Sequence, residues 1–234
     1  MDFSAKWQAF WKTLDVEYWQ KLLIKGITNT IEIAVLGLVI GIFIGTLIAI
    51  VKVSPKYNPI VRVLDKICSL YVALFRGTPM VVQLLLAYYV FLPLCGAKNV
   101  NALVVGIIVF GLNSGAYVSE IMRGGINSID VGQMEAARSC GMTSAQAMRF
   151  IILPQAIKNI LPAIGNEFIT MVKETSIIQY LGISDLMYNN GIVVTATYNP
   201  LPCYYISAIL YLLLNIILGK GINIFEVRLK RNER

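Results

Sequence analysis

Four carboxylates stand within apolar stretches of this 234-residue sequence: Glu32, Glu120, Glu167 and Glu174. An ionisable side chain inside a membrane-length apolar run is costly and marks a functional site by default. Glu167, Thr170, Met171 and Glu174 fall at i, i+3, i+4 and i+7, one face of a helix. A rise of 1.5 Å per residue sets the two carboxylates about 10 Å apart, so they can line one polar pathway. A guanidinium or ammonium ligand would offset the cost of burying them. The competing reading is structural, with Glu167 and Glu174 paired to Lys173, Arg76 or Arg123. A second stripe, Asn113, Tyr117 and Glu120 with Ser114 adjacent, recurs at i, i+4 and i+7. Gly111 and Gly115 beside it permit close approach of a neighbouring backbone. That stripe lines a cavity or a dimer interface, or it supplies inter-helix hydrogen bonds and nothing more. Glu120, near the end of its apolar run, reads as a gate or structural residue. Glu32, near the outer end of its own run, is explained by snorkelling.

These groups need a lipid-embedded scaffold, and the composition supplies one. Hydrophobic residues make up 57% of the chain and charged residues 14%, against roughly 25% charged in a soluble domain. Mean hydropathy is +0.68. The formal net charge of +7 comes from basic residues in loops beside apolar runs, which fits the positive-inside rule and argues against nucleic acid as a partner. The sequence has no His and four cysteines, Cys68, Cys95, Cys140 and Cys203, with no C-x-x-C pair. No metal site and no disulfide framework are expected. No phosphate loop of the G-x-x-x-x-G-K-[ST] type, no H-E-x-x-H and no G-x-S-x-G elbow occur, so the chain is not expected to act as an enzyme on its own. About 25 mixed residues precede the first apolar run without a basic n-region or an A-x-A site, so no cleavable leader is expected.

The pattern predicts an all-α membrane protein with about five transmembrane helices. Residues 1–25 form an amphipathic interfacial segment, with Phe3, Trp7, Phe10, Trp11, Leu14 and Tyr18 at helical spacing. The transmembrane domain occupies residues 26–222. Span 1 runs from about Gly26 to Val51 with a Gly37, Gly41, Gly45 ridge, and a basic loop from Lys52 to Lys66 follows. Span 2 begins around Leu70 and ends near Pro93, interrupted at Arg76-Gly77-Thr78-Pro79. Span 3 runs from about Asn101 to Met122, span 4 from Leu153 to Ile178, and span 5 from Leu201 to Ile222. A polar connection fills 179–200, and a basic tail fills 223–234. Lys52, Lys56, Arg62, Lys66, Arg123, Arg138, Arg149 and the tail put the loops after spans 1 and 3 and the C-terminus in the cytoplasm, with the N-terminus outside. Lys6, Lys12, Lys21 and Lys25 argue the other way. Asp2, Asp15 and Glu17 offset them in part, and Lys98 is the single basic residue after span 2.

The loop at about 123–154 holds a helix–Gly–helix elbow. Glu135-Ala136-Ala137 reads as a helix start, Gly141 as a stop, and Thr143 with Gln146 as a capping box opening a second short helix. Such an elbow on an aqueous face suits docking into a groove of a soluble partner. The pattern Glu135, Ala136, Ala137, Gly141, Leu153 and Pro154 resembles the EAA loop of bacterial ATP-binding-cassette importers. Arg76-Gly77-Thr78-Pro79, Gly165-Asn166-Glu167-Phe168 and Lys173-Glu174-Thr175-Ser176 are similar to the permease subunits for polar amino acids, the histidine/glutamine/arginine subfamily. The likeness covers most of residues 20 to 225.

The resemblance implies the type I importer permease fold with a cytoplasmic coupling helix, in a bacterial cytoplasmic (inner) membrane. It implies a second permease subunit, identical or sister, cassette ATPase subunits that hold ATP and Mg, and an extracytoplasmic amino-acid-binding protein. No cofactor is expected on this chain itself. It implies coupling through the elbow, packing of the Arg76–Pro79 turn beside it, and a substrate cavity faced by Glu167 and Glu174. Asp is common at the latter position, so Glu174 departs by one methylene. The substrate expectation is a polar amino acid, with arginine, lysine and histidine first and glutamine, glutamate and cystine open. The alternatives are an ion-coupled secondary transporter with Glu120, Glu167 and Glu174 as proton relay, and a membrane scaffold that recruits an ATPase.

Overall fold

The computed structural model describes residues 3–14, 17–97 and 99–231, and every regular element among them is helical. Asp2, Asp15, Lys98 and Arg234, which entered the topology reading, lie outside the described residues. Four helices are long and apolar enough to cross a membrane, or five if a bent helix pair counts as one span. Two compact units are formed: Met1–Gly37, Pro79–Phe110 and Ile169–Leu218 make the first, and Leu38–Thr78, Gly111–Phe168 and Gly219–Arg234 the second.

In the second unit, α2 (Glu17–Val53) and α6 (Ala102–Asn127) are drawn together by small residues. A Cβ on Gly41 would stand 2.6 Å from the Ser114 hydroxyl, and one on Gly45 2.7 Å from Val118. Neither position tolerates a side chain without parting the helices. Val118 then packs with Ala156, Ile160 and Ile164 of α9 (Leu153–Glu174), while Ile48 and Ala116 pack with Val72 of α3 (Pro59–Gly77). At the end of this seam Lys52 meets Glu120 at 2.8 Å, and Arg123 reaches the other carboxylate oxygen at 2.7 Å.

The expected loop over Lys52–Lys66 is largely helix. Asn58 accepts from the Ile60 amide at 2.9 Å and Pro59 occupies the first turn, so α3 starts eleven residues before the expected Leu70 and carries Arg62 and Lys66. The interruption is where the sequence placed it. Thr78 (φ −120, ψ 146) and Pro79 (φ −63, ψ 136) are extended, and α4 (Met80–Leu86) begins beyond them. Pro79 excludes the helical state for the residue before it. After a π turn at Ala87–Phe91, the helix ends in the short α5 (Leu92–Leu94).

The first unit contains the segment expected to be a polar connection. It is ordered instead as a 3-10 helix, Thr175–Leu181, and a full helix α10, Leu186–Thr197. Its asparagines point inward rather than marking a loop. Asn189 donates to the Leu22 carbonyl at 2.6 Å, Asn29 donates to the Ser184 carbonyl at 2.7 Å, and Ser184 donates to Asn189 at 2.7 Å. The amphipathic α1 (Phe3–Leu14) is held here too. Trp7 packs beside Val193 and Cys203, and Asn199 donates to the Lys6 carbonyl at 2.8 Å. The remaining helix, α11 (Pro200–Arg231), closes the chain.

Asp185, between two spans, caps α10 by accepting from the Tyr188 amide at 2.7 Å and is fully buried. Burial pushes its carboxyl from 3.8 up to about 6, against the pull of its backbone hydrogen bonds. A raised acid favours the protonated fold, so this contribution to stability is complete below the unfolded value and is lost as pH rises through about 6. Asp185→Asn keeps a cap acceptor and cannot ionise. It should out-melt the parent at about pH 7.5, by up to roughly 2–3 kcal/mol, and converge with it at about pH 3. Thermal unfolding in detergent reads this, and a gap independent of pH would refute it.

Glu120→Gln strands Lys52, whose side chain is 13% exposed. The cost should be roughly 1–3 kcal/mol. Adding Lys52→Gln should restore part of that loss. Additive losses in the double-mutant cycle would show that the pair is not coupled.

Candidate functional site

The elbow is built in the second unit. Helix α7 (Val131–Ser139) starts earlier than expected, because the Asp130 carboxylate accepts from the Gly132 amide at 2.7 Å. Glu135-Ala136-Ala137 is therefore its middle rather than its start. Glu135 and Ala136 are exposed and Ala137 is turned inward. Gly141 (φ +88) ends it in the left-handed region. The Met142 amide donates to the Ala137 carbonyl at 3.1 Å and the Gly141 amide to the Arg138 carbonyl at 3.0 Å, the two bonds of a Schellman stop. Arg138 closes the turn from outside, donating to the Met142 carbonyl at 2.8 Å.

The capping box follows as read. The Thr143 amide donates to the Gln146 side chain at 2.8 Å and the Gln146 amide to the Thr143 hydroxyl at 3.2 Å. The second short helix, α8 (Ser144–Ala147), is not a separate piece. It passes through a π turn at Met148–Ile152 into α9, and Ser144–Leu181 forms one long helical segment of 38 residues. Leu153 and Pro154 open α9 at the end of that π turn, with Pro154 exposed.

The intramembrane acids have different surroundings. Glu120 is committed to Lys52 and Arg123, which removes Arg123 as a partner for Glu167 or Glu174. Glu167 and Glu174 are half-buried on α9, Thr170 is exposed and Met171 is 2% exposed. Met171 is thus a packing residue on the edge of the stripe. Glu32 is exposed, in keeping with the snorkelling explanation.

The α6 stripe lies against α3. Asn113 donates to the Phe75 carbonyl at 3.2 Å, and the Tyr71 hydroxyl donates to the Leu112 carbonyl. The Ser114 hydroxyl is buried against Gly41 without a hydrogen-bond partner among the described residues. Tyr117 sits under the Arg76 guanidinium, 5.2 Å from carbon to ring centre. The Arg76-Gly77-Thr78-Pro79 turn is thereby anchored to α6 through its first residue.

A cavity of about 510 Å3 opens within the first unit. It is lined by Lys173, Ser176 and Gln179 from α9 and the 3-10 helix, and by Ser207, Tyr211 and Asn215 from α11. This α11 face carries no ionisable residue other than Tyr204 and Tyr211 and is not among the sites expected from the sequence. Its signal was nevertheless present as polar residues at i, i+4 and i+8 in an otherwise apolar helix. Lys173, expected from the sequence as an ion-pair partner, lines the cavity instead.

Comparisons with known proteins agree with this architecture. Residues 37–231 match the family described as "Binding-protein-dependent transport system inner membrane component". The arginine transport system permease protein ArtQ of Bacillus subtilis (strain 168) is 38% identical, covering 90% of this chain and 94% of that protein. A relative named for glutamine transport, GlnP of Rickettsia prowazekii (strain Madrid E), is 42% identical over 79% of this chain and 83% of its own length. The crystal structure of an amino acid ABC transporter with histidines superposes with a TM-score of 0.83 at 42% identity, covering 90% of this chain and 95% of its own. The MetNI methionine ABC transporter in an inward-facing conformation shares the fold, with a TM-score of 0.74 at 19% identity, over 92% of this chain and 99% of its own. The chain belongs to the family of binding-protein-dependent transport system inner membrane components.

Proposed function

We propose that this chain is the transmembrane subunit of an ATP-driven importer for a polar amino acid, with ATP and Mg held by a separate cassette ATPase. The observation that carries the reading is the exposed elbow, Schellman stop against capping box, running without a break into span 4. A helical segment of 38 residues is about 57 Å long, roughly twice the hydrocarbon thickness. One end must therefore stand outside the membrane, and the elbow is at that end. Movement of a soluble partner docked at Glu135–Gly141 is passed along a helix rather than absorbed in a loop.

Two permease subunits make the pathway, and an extracytoplasmic binding protein delivers the substrate. The elbow and C-terminus face the cytoplasm of a bacterial cell, and the N-terminus faces outward. Support for this orientation comes from Lys52, Arg123, Arg138 and Arg149. The ion-coupled alternative needs Glu120 free to exchange protons, whereas Glu120 lies in two ion pairs.

A cationic amino acid is the first substrate, with Glu167 and Glu174 reading its side-chain charge. The names of the relatives divide between arginine and glutamine, so glutamine is the second.

Gly141→Trp should insert normally and reduce uptake several-fold while ATP hydrolysis persists, because only glycine rests easily at φ +88. Vesicle uptake beside ATPase assays checks this, and full coupled uptake by the variant would refute it. Glu167→Gln should lower arginine uptake roughly tenfold, the loss of one charge-assisted contact. Uptake indifferent to Glu167 and blocked by glutamine would move the substrate to the neutral group.

A further inference from the structure

We infer that α11 supplies a recognition subsite for the zwitterionic head group of the transported amino acid, formed by Ser207 and Asn215 opposite Lys173. The inference rests on the amino-acid reading above. It concerns the α-carboxylate and α-ammonium of the ligand rather than its side chain.

Ser207, Tyr211 and Asn215 occupy one face of α11 and line the cavity of about 510 Å3, within the usual range for small-ligand sites. Ser207 Oγ and Asn215 Oδ1 are each buried without a hydrogen-bond partner among the described residues. A buried polar atom left unmatched is costly, and lipid offers no relief. Two such atoms on one helix face, beside one cavity, suit a polar ligand.

The donors and acceptors suit an α-amino acid. Lys173 is the one charged residue among those lining the cavity and can donate to a carboxylate. The Ser207 hydroxyl can donate to the same carboxylate. Asn215 Oδ1 is an acceptor and matches the α-ammonium. Met187, Ala208 and Leu212 give the cavity an apolar wall. Tyr211 plays a different part. Its hydroxyl neighbours Thr30, Thr175 and Asp185, so it ties the stripe to the buried polar cluster below and is a poor site for a clean substitution.

A subsite of this kind reads what all amino acids share.

The test uses the permease complexed with its ATPase in lipid nanodiscs, with radiolabelled arginine and glutamine as probes. Ser207→Ala and Asn215→Leu should each weaken binding by roughly tenfold. Both should leave the melting temperature unchanged or raised, because the atoms removed have no protein partner to lose. Agmatine, arginine without its carboxylate, should compete poorly with arginine for the parent complex. Binding unchanged in both variants, or agmatine competing as well as arginine, overturns the subsite. So does weakened binding accompanied by a lowered melting temperature, which would mark the two side chains as structural. So does an effect seen only with anionic lipid present, which would give the cavity to a lipid phosphate. If the parent complex in proteoliposomes shows no ATP-dependent uptake of either amino acid, the importer reading falls and takes the subsite with it. Intact uptake with unchanged variants removes the subsite alone.

Discussion

A backbone in lipid must satisfy its own polar groups, and each interruption of a helix here is constrained by that fact. At most of the restarts a side chain takes up an orphaned amide, although α4 begins after Pro79 without one. Asn58 caps α3, Asn101 accepts from the Leu103 amide at 2.9 Å at the start of α6, Asp130 caps α7, Thr143 caps α8 and Asp185 caps α10. These five caps decide where the chain can turn, and the turns decide which residues leave the membrane. The elbow is possible because two of them, Asp130 and Thr143, enclose a nine-residue helix that Gly141 can stop. Without them, the orphaned amides would draw the segment into a longer helix or a wet loop.

The same constraint explains what could be read from the sequence. The elbow was legible because its signals come in pairs, Gly141 with its flanking helix and Thr143 with Gln146, and a pair is rarely accidental. The Thr78-Pro79 break was legible because proline acts on its neighbour sterically, whatever the surroundings. Helix α3 was not, because its polar residues, Arg62, Asp65 and Lys66, dilute the apolar run that marks a span. Its start is signalled only by Asn58-Pro59, which serves a turn equally well. Helix α10 was hidden for a related reason. Asn189, Asn190 and Gly191 are loop formers by propensity, and burying Asn189 against the Leu22 carbonyl overrides that preference.

Charge alone does not tell a structural acid from a ligand-reading one. Glu120 and Glu174 are the same residue type in comparable apolar contexts. Glu120 is fixed by two cations, one from the adjacent helix and one three residues on. No sequence pattern names Lys52 as its partner, since 68 residues separate them. Only the close approach of α2 and α6 at Gly41 and Gly45 brings the amine within reach. The ridge of small residues was visible in the sequence, but what it would juxtapose was not. Conversely, the α11 face carries no charge and so gave no alarm, although an uncharged polar atom without a partner in lipid calls for explanation as much as a carboxylate does.

The π turn at Met148–Ile152 deserves a mechanical reading. A π turn carries one residue more than the surrounding helix needs, and it lies between the elbow and the membrane part of span 4. Its wider ring leaves the helix unbroken, so force is still carried, yet it loosens the backbone ladder, as Pro162 does further along. Pro154 follows at once and can donate no amide to that ladder. A coupling helix joined through such a point can tilt without unwinding the span. A coupling helix on a flexible loop would tilt just as easily and transmit nothing. The helical but locally loosened connection therefore suits the proposed lever driven from outside the membrane.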